Sequence, residues 1–221
     1  MNGNQPFSGY ALHPWRMFGG DFKTIPSEIR PMIAVIDCGG QYTHLIWRTV
    51  RDLDYDVRIF PFTAKLDEVR GAKAFILSGG PGSVTRDELG VAREIVRRAK
   101  GGELAQPLLG ICLGHQLLAH EWGGRVEKGA SAEYGITKII VDEPDQLFKG
   151  LPRSFNAWVS HFDEVKELPG EFVPLAHSRT CRVEAMRHES MEIFGVQFHP
   201  EVWHTENGER IIANFLLLSK A

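Results

Sequence analysis

With 221 residues, 43% of them hydrophobic and 24% charged, the chain has ample material for a buried core, which excludes disorder and collagen-like repetition. Its 25 basic and 28 acidic side chains leave a formal charge of −3, so nothing draws the whole molecule to a phosphate backbone. No apolar run approaches the roughly 20 residues that span a bilayer, and neither a nucleic-acid nor a membrane partner is expected.

Residues 1–31 carry scattered Gly and Pro and the aromatics Phe7, Tyr10, Trp15, Phe18 and Phe22, without strand or helix periodicity. They read as an irregular arm packed on a surface, ahead of one domain over residues 32–221. Met32–Asp37 is a short apolar strand running into a Gly39-Gly40 turn, and Tyr42–Leu53 has helical spacing. Tyr55–Phe60 and Ala72–Leu77 follow as strands, Asp87–Lys100 as a helix whose basic run from Arg93 forms a solvated face, and Pro107–Ile111 as a strand feeding a helix that reaches Trp122. Strands alternating with helices at these lengths imply a parallel sheet with right-handed crossovers. Beyond them, Tyr134–Val141, Phe155–Val159, Phe172–Ala176, Val183–His188 and Ile193–Phe198 read as strands joined by turns, and Glu206–Leu218 as a closing helix. The expected fold is α/β: a mostly parallel central sheet flanked by helices, with a smaller antiparallel section.

Three cysteines, Cys38, Cys112 and Cys181, offer neither a disulfide framework nor a Cys-x-x-Cys pair, and the first residues contain no apolar leader segment. A reducing, cytoplasmic setting is expected. The sharpest local signal is Gly110-Ile111-Cys112-Leu113-Gly114, a glycine-flanked nucleophile at a strand-to-helix junction. Such a turn leaves no room for neighbouring side chains and places the sulfur at a helix N-terminus, whose dipole favours a thiolate. Gln197-Phe198-His199-Pro200-Glu201 ends another apolar strand; His199 suits a general base and Glu201 can orient its ring. As a metal site this pair is weak, because it supplies at most two ligands. Leu77 to Ser83, rich in glycine and also directly after a strand, lacks the Gly-Lys-Ser/Thr ending of a phosphate loop and is better suited to an oxyanion hole.

In this order, the three motifs resemble the class I, triad-type glutamine amidotransferases over roughly residues 32–221. The flanking stretches Asp37–Ile46, Ala132–Gly135, Trp158–Asp163, Thr180–Met186 and His204–Glu206 resemble the glutaminase components of GMP synthetases, above all the free-standing ones. The resemblance implies hydrolysis of L-glutamine to glutamate and ammonia, with Cys112, His199 and Glu201 as the triad, the Gly80 and Leu113 N–H groups as oxyanion donors, and Gln116 holding substrate. It places His161 and Asp163 on a loop beside the site, facing a synthetase partner. It implies no metal or cofactor in this chain: ATP and Mg²⁺ belong to a separate ATP-pyrophosphatase subunit that aminates XMP. The arm over residues 1–31 is outside the family pattern.

Other readings stay open at this point. They are an amidotransferase serving anthranilate, aminodeoxychorismate or carbamoyl phosphate synthesis, a stand-alone cysteine hydrolase or γ-glutamyl peptidase, and a non-catalytic regulatory module. Cys38 and Cys181 read as structural thiols, His115 as packing beside the nucleophile, and the five tryptophans as core and arm packing.

Overall fold

The computed structural model describes residues 31–144 and 146–219; the arm expected over residues 1–31 lies outside them except for Pro31. Among the described residues, β1 (Met32–Asp37), β2 (Asp56–Pro61), β3 (Ala74–Leu77), β4 (Leu108–Ile111), β5 (Arg125–Val141), β6 (Ser154–Glu167), β7 (Phe172–His177), β8 (Ala185–His188) and β9 (Ile193–Val196) form one sheet. Its order is β2-β1-β3-β4-β9-β8-β7-β5-β6. From β2 to β9 the neighbours run parallel, and from β9 to β6 they are antiparallel. The parallel and antiparallel sections are therefore the two halves of a single sheet.

The short parallel strands are apolar on both faces because helices cover both. Ile33, Val35, Ala74, Ile76, Leu109 and Ile111 meet the side of α1 (Thr43–Asp52) and α5 (Gly208–Leu218). Their alternates Ala34, Ile36, Phe75, Leu77 and Leu108 meet α3 (Gly90–Lys100) and α4 (Leu113–Glu121), with the short α2 (Leu66–Val69) beside them. Arg93 and Arg97 of α3 both pair with Glu121 of α4, and the Arg93 side chain is only 11% exposed. The basic run is thus partly a helix–helix clamp rather than a solvated face.

Several boundaries differ from the sequence expectation. Helix α5 begins at Gly208 rather than Glu206, because the Glu206 carboxylate is engaged by Asn156, whose backbone N–H donates at 2.8 Å and whose Nδ2 donates at 3.1 Å. Helix α3 starts at Gly90 because Asp87 closes a turn instead, its Oδ2 accepting the Ser83 N–H at 2.8 Å. The largest difference is the β5–β6 ribbon. It runs on to Arg125 and Glu167, where apolar alternation fades, and Ser160–Asp163 is strand rather than loop.

Candidate active site

The geometry starts from sheet order. Strands β3, β4 and β9 are adjacent and parallel, so the segments leaving their C-terminal ends emerge side by side, where open α/β sheets place their sites. These segments carry Gly79-Gly80, Cys112 and His199, three residues beyond β9.

Cys112 sits at φ 52°, ψ −102°, outside the regions that L-residues ordinarily occupy, and it caps α4. Its N–H donates to Val196 O at 2.8 Å, tying the elbow to the end of β9. The flanking glycines are steric necessities. A Cβ on Gly110 would lie 2.5 Å from the carbonyl carbon of Gly114, and one on Gly114 would lie 2.6 Å from Leu77 O. Such a turn closes only without side chains at either position.

His199 Nδ1 faces Glu201 Oε1 at 2.8 Å, with both side chains buried. The carboxylate only accepts, so Nδ1 carries the proton, and the other ring nitrogen is left to the Cys112 thiol within hydrogen-bonding reach. Burial alone would lower the His199 pKa. The charge of Glu201 and the bonds to Cys112 and Glu201 outweigh it and hold the imidazole well above its ordinary range. The His199 backbone is fixed as well: its N–H donates to Trp158 O at 2.9 Å, and Thr205 Oγ1 donates to its carbonyl at 2.6 Å. Tyr42 lies edge-on to the ring at 5.0 Å, and its hydroxyl accepts from Trp158 Nε1 at 3.1 Å.

Gly80 lies against Leu113, whose Cδ2 would be 3.0 Å from a Cβ added there. Neither the Gly80 nor the Leu113 N–H donates to another described residue. Two backbone donors are thus free, one on the residue that follows Cys112 and one in the glycine segment after β3, and free donors are what an oxyanion hole requires. Gln116 is buried, and its Nε2 donates to Asp163 O at 2.7 Å and to Gln197 Oε1 at 3.2 Å. Both of its N–H bonds are therefore spent within the protein, and its carbonyl oxygen is the group left for a ligand.

Tyr42, Gly80, Cys112, Gln116, His199 and Glu201 line a cavity of about 590 Å³, with Arg86 and Lys128 also on its wall. His161 and Asp163 contribute to that wall, but as strand residues of β6. The His161 side chain is 3% exposed, so it does not present itself to a partner. Cys38 is buried, and burial with the Asp37 charge pushes its thiol up to about 12; burial raises the Cys181 thiol further. His115 is fully buried, and desolvation pushes it down to about 3.

Sequence reasoning missed the supports Tyr42, Trp158 and Thr205. Each lies in a stretch that carried the family resemblance, but only the fold shows them meeting at His199. It also missed Trp203, which is 82% exposed with its ring 3.6 Å from that of His204, outside the core where tryptophans were expected.

A cysteine on a strained elbow, a histidine held by a buried carboxylate and paired backbone donors on a doubly covered α/β sheet define a triad-type cysteine amidotransferase or hydrolase. The chain belongs to the class-I glutamine amidotransferase family, whose profile matches residues 34–218. It is 48% identical over 189 residues to a subunit of the glutamine-hydrolysing GMP synthase of Pyrococcus abyssi, covering 85% of this chain and 98% of that one. It is 47% identical to the like-named subunit from Methanocaldococcus jannaschii, covering 83% and 95% of the two chains. A crystal structure from Thermoplasma acidophilum superposes with a TM-score of 0.80 at 36% identity, covering 86% of this chain and 94% of that one. No helix among the described residues is long and apolar enough to cross a membrane.

Proposed function

We propose that this chain is the glutaminase subunit of a two-subunit GMP synthetase, splitting L-glutamine so that a separate ATP-pyrophosphatase subunit can aminate XMP with the ammonia. The observation that carries the reading is the His199–Glu201 bond at 2.8 Å beside Cys112, with the Gly80 and Leu113 N–H groups free. That its relatives are named as subunits of a glutamine-hydrolysing GMP synthase supports the choice of synthetase over the other amidotransferase classes.

In this mechanism the Cys112 sulfur, as thiolate beside the His199 imidazolium, attacks the carboxamide carbon of glutamine. The carbonyl oxygen becomes an oxyanion held by the N–H groups of Gly80 and Leu113, each such donor worth about 10²–10³ in rate. The C–N bond breaks as His199 gives its proton to the departing nitrogen, which leaves as ammonia. His199 then takes a proton from water, the hydroxyl adds to the thioester, and the C–S bond breaks to release glutamate and restore the thiol. Glu201 keeps the ring oriented throughout. The carbonyl of Gln116 receives the substrate ammonium group, and Arg86 and Lys128 supply positive charge for its carboxylate. ATP and Mg²⁺ act on the partner subunit.

The test is glutamate release by the purified chain, alone and with a synthetase subunit loaded with ATP and XMP. Low activity alone and a large rise with the loaded partner are expected. A full rate that no synthetase changes would leave the triad standing and remove the GMP synthetase assignment.

A further inference from the structure

Three side chains that the reaction does not use converge behind the cavity wall. Glu133 comes from β5, His161 from β6 and Glu184 from the residue ahead of β8; one ligand atom from each lies within 4.8 Å of the other two. Glu133 pairs with His161 across the ribbon, and the Glu184 N–H donates to Ala176 O on β7 at 2.9 Å. The Glu133 and His161 side chains are 9% and 3% exposed, and Glu184 is wholly buried.

Their proton inventory does not close. His161 Nδ1 lies 3.1 Å from Asp163 O, which can only accept, so the neutral ring carries its proton there and presents a lone pair at Nε2. That lone pair faces Glu133 Oε2 at 3.0 Å, another acceptor. Among the described residues neither atom has a hydrogen-bond partner within 3.5 Å, nor does either carboxylate oxygen of Glu184, whose polar neighbours include the Ser178 hydroxyl. The other oxygen of Glu133 accepts from Thr180 Oγ1 and is satisfied. With both carboxyls ionised and the imidazole neutral, lone pairs on three buried side chains would meet with no donor among them; burial raises the Glu133 carboxyl and pushes that of Glu184 up to about 8, so the cluster must hold either protons or a cation. An imidazole nitrogen with two carboxylates suits a divalent first-row metal. A remote Nδ1–H donated to a backbone carbonyl is the usual support of a metal-bound histidine.

We propose that Glu133, His161 and Glu184 bind one divalent transition-metal cation, with Zn²⁺ the favoured ion, as a structural clip joining β5, β6 and the start of β8. The clip is one carbonyl away from the catalytic cavity, because Asp163 O is shared by His161 Nδ1 and by Gln116 Nε2. It takes no part in the chemistry at Cys112, and it stands or falls independently of the glutaminase reading.

The test is calorimetric titration of the chelator-treated full chain with ZnCl₂. It is done in the Cys112→Ser background so that the nucleophile cannot supply a competing thiolate, and a thermal melt is recorded with and without Zn²⁺. One equivalent bound per chain and a higher Tm with metal are expected. Glu184→Gln and Glu133→Gln should each weaken binding by more than about 100-fold, since loss of a mere supporting contact already costs about 10–100-fold. Circular dichroism establishes that each variant folds, and either folded variant suffices for the comparison. Failure of the Cys112→Ser chain to bind Zn²⁺, as when shared protons alone hold the cluster, would overturn the proposal. So would binding that the folded variants leave unchanged.

Discussion

Gly79→Ala isolates geometry from chemistry, because it adds one methyl group and removes no functional atom. A Cβ there would lie 3.0 Å from His199 Cε1, 3.4 Å from Cys112 Cβ and 3.9 Å from Cys112 Sγ. Relaxed carbon contacts need about 3.5–4.0 Å, so the imidazole must withdraw by roughly half an ångström or more. It cannot do so freely, since the 2.8 Å bond to Glu201 and the Thr205 anchor hold it. A displacement of about 1 Å in a reacting group costs about 10²-fold, which places the expected loss in kcat between about 10-fold and 10²-fold. Gly79 is not among the residues with positive φ, so alanine brings no backbone strain there, and stability should change by less than about 1 kcal/mol. Gly114→Ala is the contrasting case: its Cβ would meet Leu77 O at 2.6 Å and Leu77 Cβ at 2.8 Å, both on a buried strand. It should cost about 1–3 kcal/mol of stability through overpacking. Glutamate release and thermal melting of the two variants separate the effects. A Gly79→Ala chain with wild-type kcat would refute the reasoning, since it would mean that thiol and imidazole do not face each other across this glycine.

Mass spectrometry after treatment with a glutamine-like electrophile near pH 8 should find the adduct on Cys112 and not on Cys38, whose thiol is pushed up to about 12 and is then only about 10⁻⁴ ionised. Glu201→Gln should lower kcat by about two to four orders of magnitude, less than His199→Ala does, as the orienting acid of a triad is its least costly member to remove. The same variant carries a pH signature. The folded His199 pKa is raised, so the stabilisation from its pairing is complete below the ordinary histidine value and is lost as pH rises through the raised one. The Tm difference between wild type and Glu201→Gln should therefore be widest near pH 6, at about the ordinary histidine pKa, and should narrow on the alkaline side.

The parallel half of the fold was legible because β1, β3 and β4 are short, nearly continuous apolar runs with helical spacing between them, and Gly110, Cys112 and Gly114 carry their steric reason in their spacing. Residues 125–133 and 160–167 were not legible as strand. Their charged side chains, among them Glu127, Lys128, Asp163 and Lys166, mask the alternation, and their pairing with each other is decided at long range, from Arg125 with Glu167 to Glu133 with His161. The same long-range pairing hid the burial of His161, which a local reading places on an exposed loop. Glu133, His161 and Glu184 lie in three separate stretches that resembled one family, and nothing local shows that they meet. Nor does the sequence show that Cys112, His199 and Glu201 come together within a single chain. The order of β3, β4 and β9 brings this about, by setting the segments that carry them side by side.

The most direct test measures GMP formed by this chain mixed with a synthetase subunit, ATP and XMP, supplied either with glutamine or with a high concentration of free ammonia. Cys112→Ala should abolish GMP formation from glutamine and leave the ammonia-supported rate unchanged, because only the splitting of glutamine needs the nucleophile. Undiminished glutamine-supported synthesis by the Cys112→Ala mixture would contradict the assignment of this chain as the ammonia donor.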